Sequence, residues 1–255
     1  MSGALLEASG LRKSYGRIAV LHDVSLTIGA DESHVVIGPN GAGKTTLFKV
    51  LTGELLANQG RVVFQGEDVS RLPAHKRVHR GFGRTFQVAR VFGKLDVQDN
   101  LRLALEARTR RGNPLASVSR EVAGALAQRM EQLLVDTGLE RHRRALSGSL
   151  AYGDRKRLEL AMVLALEPAV LFLDEPTAGM SAAERQATVQ MLLRVKQQRR
   201  VSMLLTEHDM DVVFGLADRI SVLHYGKLIA SGTPAEIRAD ARVKEVYLGD
   251  EGSHA

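Results

Sequence analysis

Short apolar runs rich in β-branched residues alternate along the chain with longer stretches whose apolar positions recur every three or four residues. The first kind predicts strands at Val24–Ile28, Val35–Ile37, Val62–Phe64, Val170–Leu173, Ser202–Leu205 and Ile220–Leu223. The second predicts helices at Thr45–Leu55, Gln98–Arg108, Arg120–Thr137, Asp154–Leu166, Ala182–Gln197 and Met210–Ala217. Strands that alternate with helices favour an α/β fold with a mostly parallel sheet, because parallel neighbours need a crossover between them. The middle of the chain departs from this rhythm. From Gln87 to Arg144 helical patterns replace strands, which predicts a helical segment inserted in the α/β core.

Composition narrows the class without naming it. The 255 residues are 44% apolar and 25% charged, which is ordinary for a globular protein able to bury one large core. Absence of cysteine excludes a disulfide framework, a thiolate metal site and a cysteine nucleophile. No apolar run approaches the roughly 18–20 residues needed to cross a bilayer, and the start lacks a secretory-signal pattern. The expectation is a chain that does not span a membrane by itself, which leaves open docking on something that does. A net charge of +6 points to polyanions: nucleic acid, an acidic membrane surface or nucleotide phosphates. With no tryptophan and only 4% aromatics, an array of base-stacking rings is not expected. The arginine runs at Arg108, Arg110 and Arg111, and at Arg141, Arg143 and Arg144, read as solvated helix ends or loops.

The most specific motif is Gly38-Pro39-Asn40-Gly41-Ala42-Gly43-Lys44-Thr45, followed by Thr46. It leaves the strand Val35–Ile37 and opens a helix, the context a phosphate loop requires. Its glycines let backbone N–H groups turn toward phosphate oxygens, and the helix N-terminus adds its positive dipole end. Lys44 is placed to reach the β- and γ-phosphates, and Thr45 to offer its hydroxyl to Mg2+. Ser33 and His34, just upstream, put polar side chains into the strand and have no chemical reading in the sequence.

A second strand, Val170–Leu173, ends in Asp174-Glu175, where parallel α/β sheets bind their ligands. With the phosphate loop present, Asp174 is expected to hold Mg2+ and Glu175 to orient or deprotonate water. Neither carboxylate would carry that reading alone, since an acidic pair after a strand is more often a helix cap.

The phosphate loop, the acidic pair and the segment between them resemble the ATP-binding subunit of an ABC (ATP-binding cassette) transporter. The resemblance runs from Leu11 to Gly249. It implies ATP and Mg2+ as cofactors, and a phosphate-loop ATPase core (1–86 and 145–255) with an N-terminal antiparallel β portion. It also implies a helical subdomain (87–144). Leu150-Ala151-Tyr152-Gly153-Asp154 matches the family's signature segment, which meets the ATP held by the opposite protomer. Ala151 stands where a serine is usual, and Tyr152 where the first glycine is usual, so backbone N–H groups are left to make the phosphate contact. Gln87 corresponds to the glutamine that touches Mg2+ and the nucleophilic water and links to the membrane partner. His208 corresponds to the switch histidine at the γ-phosphate, and Tyr15 to the ring that stacks on adenine. In Ala178-Gly179-Met180-Ser181, Ser181 stands where many members place aspartate.

Gly83–Gln87 leading into Val97–Leu101, the Tyr-Gly signature followed by Arg157-Leu158-Glu159, and the tail Val243–Gly249 are similar to ATPases of branched-chain amino acid importers. That branch implies a second ATPase subunit, integral-membrane permease subunits and an external solute-binding protein, with the chain at the cytoplasmic face of the inner membrane. A lipopolysaccharide-exporter ATPase is the nearest alternative on the same chemistry. Soluble cassettes acting on nucleic acid fit less well, for the chain has neither long heptads nor a second cassette. A nucleotide-dependent scaffold, suggested by Ala151 and Ser181, is opposed by the intact Glu175 and His208.

Overall fold

The computed structural model describes residues 3–109 and 120–249; Arg110 and Arg111 of the first arginine run lie outside them. In chain order the elements are β1 (Leu6–Tyr15), β2 (Ile18–Ile28), β3 (Ser33–Ile37), α1 (Lys44–Thr52), β4 (Gln59–Phe64) and β5 (Glu67–Asp68). Then follow α2 (Ala74–Val78), β6 (Phe82–Arg84), α3 (Val97–Thr109), α4 (Arg120–Thr137), α5 (Tyr152–Ala165) and β7 (Val170–Asp174). The last part comprises α6 (Ala182–Arg199), β8 (Ser202–Thr206), α7 (Met210–Leu216), β9 (Arg219–His224), β10 (Lys227–Gly232), α8 (Pro234–Ala239) and α9 (Ala241–Gly249).

Two sheets result. One is antiparallel, in the order β2-β1-β4-β5; the other runs β10-β9-β3-β8-β7-β6. In the second sheet β3 pairs in parallel with β8 and β9, β7 with β8 and β6, and only β10 turns antiparallel against β9. The parallel strands are buried on both faces, which explains why they read as continuous apolar runs. Alternate residues enter different cores. Val35, Ile37, Leu171, Leu173, Met203 and Leu205 join α3–α7 on one face. Val36, Val170, Phe172 and Leu204 join α1 and the antiparallel sheet on the other. There Phe82 stacks on Phe172 with centroids 5.4 Å apart, and Phe48 meets Phe172 edge-on at 6.0 Å. The helices α3 and α4 lean chiefly on α5.

The expected strands and helices all form, with shifted ends. Helix α1 stops at Thr52, short of the predicted Leu55, because Gly53 turns left-handed (φ 79°) and the N–H groups of Gly53 to Leu55 fold back onto the carbonyls of Lys49 and Val50. Buried Arg77 secures that end, donating to the carbonyls of Val50, Leu51, Ser70 and Leu72. Strand β1 escaped the sequence reading because Gly10 (φ 61°) and shifts of register break its alternation. Of the second arginine run, Arg143 pairs with Glu131 and Arg144 with Asp96, as solvated ends do.

The polar pair Ser33-His34 acquires a structural reason. His34 Nε2 lies 2.8 Å from Ser221 Oγ, which donates to Ser231 Oγ at 2.9 Å, while Nδ1 lies 3.2 Å from Glu32 Oε1. This polar chain crosses three neighbouring strands inside the sheet. Burial pushes the Glu32 carboxyl up, but His34, the Gly29 N–H and Arg219 outweigh it and hold Glu32 below its ordinary value. Stability from ionised Glu32 is therefore present at neutral pH and is lost as pH falls through its depressed value. Glu32→Gln is expected to flatten the acid limb of a stability–pH curve measured by urea unfolding. Ser221→Ala strands buried His34 and is expected to destabilise the fold by about 1–3 kcal/mol in the same measurement.

Candidate active site

Strands β3, β6, β7 and β8 run parallel, so their carboxyl ends open on one edge of the sheet. From β3 the chain enters the loop 38–43. A Cβ on Gly38 would lie 2.0 Å from the Leu223 carbonyl oxygen, so only glycine lets the loop pass β9. Gly41 and Gly43 are left-handed (φ 79° and 104°), and the Gly226 N–H donates to the Ala42 carbonyl at 2.9 Å. Asn40, Gly41 and Thr45 face outward; Thr46 is half-buried. Gly43 leads into α1 with no side chain capping its N-terminal N–H groups. The loop thus presents a free helix end, the arrangement that binds anions. Lys44 is buried and curls back over the loop, donating to the carbonyls of Gly38 (2.6 Å) and Pro39 (3.1 Å). Burial pulls its ammonium below the ordinary lysine range, opposed by the charges of Glu175 and Asp174.

The acidic pair ends β7 under a constraint absent from the motif itself. Buried Thr206, its neighbour on β8, donates its hydroxyl to Asp174 Oδ1 at 2.7 Å and accepts from the Glu175 N–H at 3.1 Å. Arg84 lies 4.0 Å from the other Asp174 oxygen and also pairs with Glu54. Glu175 is left-handed (φ 47°), an uncommon state for a side-chain-bearing residue that costs about 1–3 kcal/mol. That turn aims its carboxylate at His208, whose Nε2 stands 2.6 Å from Oε1. Buried Glu207 ties the two loops together, accepting from the Thr177 N–H (3.0 Å), the Thr177 hydroxyl (2.7 Å) and the His208 N–H (3.2 Å). Thr206, Glu207 and Arg84 were not singled out in the sequence, because what each one does depends on a neighbouring strand.

The other candidate residues lie around this edge. Helix α5 starts at Tyr152 with Ala151 as an uncapped N-cap and Leu150 buried beneath it. By contrast α6, α7 and α8 are capped by Ser181, Asp209 and Thr233. Ser181 is thereby accounted for: it closes a capping box with Glu184. A Cβ on Gly153 would lie 3.6 Å from Glu184 Oε1, and Asp154 pairs with Arg157 (3.4 Å) and His142 (3.6 Å). Gln87 is exposed just beyond β6, and its carbonyl accepts from the Tyr152 hydroxyl at 3.1 Å. Among the described contacts its side chain makes none with the acidic pair. Tyr15, at the end of β1, exposes its ring, with the Lys13 ammonium 5.7 Å from the centroid.

The donors offered by Thr45, Asp174 and Gln87 are all oxygens. No group of three or more His, Cys, Asp or Glu side chains among the described residues could hold a metal. Such a set suits Mg2+ bound mainly by phosphate oxygens and water. No described helix is long and apolar enough to cross a membrane.

Comparison with known proteins agrees with this geometry. Residues 21–178 match the family model "ABC transporter", and residues 227–253 the model "Branched-chain amino acid ATP-binding cassette transporter". The lipopolysaccharide export system ATP-binding protein LptB of Acidithiobacillus ferridurans is 37% identical over 97% of this chain and 98% of its own. The high-affinity branched-chain amino acid transport ATP-binding protein BraF of Pseudomonas aeruginosa is 36% identical over 98% of this chain and 100% of its own. A nucleotide-free ATP-binding cassette from an ABC transporter superposes with a TM-score of 0.82 at 27% identity, covering 96% of this chain and 99% of that one. The chain belongs to the ABC transporter family and is an ATPase of its ATP-binding cassette type.

Proposed function

We propose that the chain is the ATP-hydrolysing subunit of an importer for branched-chain amino acids or similar small polar solutes. In this reading it sits at the cytoplasmic face of the inner membrane, paired with a second cassette beneath permease subunits fed by an external solute-binding protein. The observation that carries import is the match of residues 227–253 to the branched-chain model. A docking surface for the permease is supported by Val88 and Phe92, large apolar side chains exposed on the segment that follows Gln87, and by Leu146, exposed where the chain bridges to Asp96. Export of lipopolysaccharide is the second reading, favoured by the similarity to LptB. Nucleic acid is not expected as a partner.

The mechanism follows from the site. Tyr15 stacks on adenine, and the N–H groups of Gly41–Thr46 with Lys44 cradle the phosphates. Thr45, Asp174 and Gln87 would hold Mg2+, which would supply positive charge against the phosphate oxygens. Glu175, aimed by its turn and held by His208, orients the attacking water and takes its proton. His208 also faces the γ-phosphate. The uncapped start of α5, from Leu150 through Asp154, closes on the partner's nucleotide with backbone N–H groups alone, since Ala151 has no hydroxyl.

Glu175→Gln is expected to lower ATP turnover by about 100-fold or more while nucleotide binding persists; undiminished turnover removes Glu175 from the role of base. Lys44→Ala is expected to abolish nucleotide binding or turnover, read by fluorescent-nucleotide titration and phosphate release. Thr206→Val keeps the shape but frees Asp174 and Glu175, and turnover is expected to fall about tenfold or more. In cells carrying Lys44→Ala, uptake of labelled leucine, isoleucine and valine is expected to fail. Normal uptake with loss of surface lipopolysaccharide instead favours export.

A further inference from the structure

Helix α5 carries Tyr152, Lys156 and Glu159 at spacings of four and three residues, which places them on one face. All three reach the same short piece of backbone. The Tyr152 hydroxyl donates to the Gln87 carbonyl at 3.1 Å, and the Lys156 ammonium to the Phe86 carbonyl at 2.7 Å. Glu159 accepts from the Phe86 N–H at 3.3 Å and from the Arg90 N–H at 2.9 Å. Lys156 and Glu159 are only 7% and 3% exposed, so both charges have left water. Apolar side chains would pack α5 at lower desolvation cost. What the two charges add is a set of charge-assisted hydrogen bonds to the loop 86–90. Burial pushes the Glu159 carboxyl up, opposed by the N–H groups of Arg90 and Phe86 and by Lys156. Arg90 stacks over the Phe86 ring at 3.7 Å from its centroid, gripping the same loop from within. Tyr152 also borders the loop after the acidic pair: a Cβ on Gly179 would lie 3.7 Å from its ring.

We propose that Tyr152, Lys156 and Glu159 are positioning residues for Gln87, holding the backbone of the loop 86–90 against the start of α5. The inference rests on the functional reading above for the role of Gln87, but the clamp itself is measurable without it.

The test uses the full chain and hydrogen exchange read by mass spectrometry, with ATP turnover and ATP-analogue binding measured in parallel. Glu159→Ala and Lys156→Met are expected to speed exchange at residues 86–90 by about tenfold or more while α5 and β3 exchange as before. Turnover is expected to fall about tenfold, with the dissociation constant for the analogue within about twofold of the parent chain. Lys156→Arg, which still donates to the Phe86 carbonyl, is expected to restore both. Parent-like exchange at 86–90 in both variants overturns the proposal. So does faster exchange throughout α5, which marks simple loss of the helix, and so does unchanged turnover despite a freed loop. If Glu159→Ala does not fold, Lys156→Met and Tyr152→Phe carry the test, the latter removing one oxygen from an exposed ring. A parent chain that hydrolyses no ATP overturns the functional reading and leaves the exchange measurement as the judge of the clamp.

Discussion

Everything chemical in this molecule depends on the parallel pairing of β3 with β8 and of β8 with β7. A parallel sheet points the carboxyl ends of its strands the same way, so segments far apart in sequence arrive at one edge. The phosphate loop leaves β3, the acidic pair ends β7, and His208 follows β8. A slip of one residue between β7 and β8 would part Asp174 from Thr206 and turn the acidic pair away from His208. Burial of both faces of these strands makes such a slip costly, and the core thereby sets the geometry of the site.

Two kinds of polar group lie near that edge, and they differ in who satisfies them. Thr206 and Glu207 are buried and saturated by the protein itself, and they orient the groups around them. The first turns of α1 and α5 are left without side-chain caps. The short helix α2 is uncapped as well, whereas α6, α7 and α8 are capped; a bare first turn is the kind of helix end that suits an anion. The strained turn at Glu175 belongs with them, since its cost is tolerated where it aims a carboxylate.

The fold class, the phosphate loop and the acidic pair were legible because each is a local pattern: an apolar strand, a run of glycines and a helix start within one window. Elements without a strong period were not. Strand β1 is broken by Gly10, β6 has three residues and α2 has five. Ser33 and His34 had no sequence-level reason because their partners lie on β9, on β10 and at Glu32. The same holds for Arg84, Thr206 and Glu207, ordinary residues until the sheet gives them neighbours. Tyr152 was visible as a departure from glycine and as part of the Tyr-Gly signature, but its hydroxyl contact with the Gln87 carbonyl depends on a loop distant in sequence.

The contact between the phosphate loop and the turn after β9 bears on how the chain assembles. Gly38 passes against the Leu223 carbonyl and Ala42 accepts from Gly226, partners more than half the chain away in sequence. The loop is encoded locally, but its shape is fixed against a strand distant in sequence. Contacts of such long range form slowly and depend on most of the sheet being in place. A nascent or partly unfolded chain therefore carries the right glycines with the wrong curvature. Nucleotide that recognises the finished loop draws the folding equilibrium toward the complete molecule, making the ligand a sensor of its own protein's integrity.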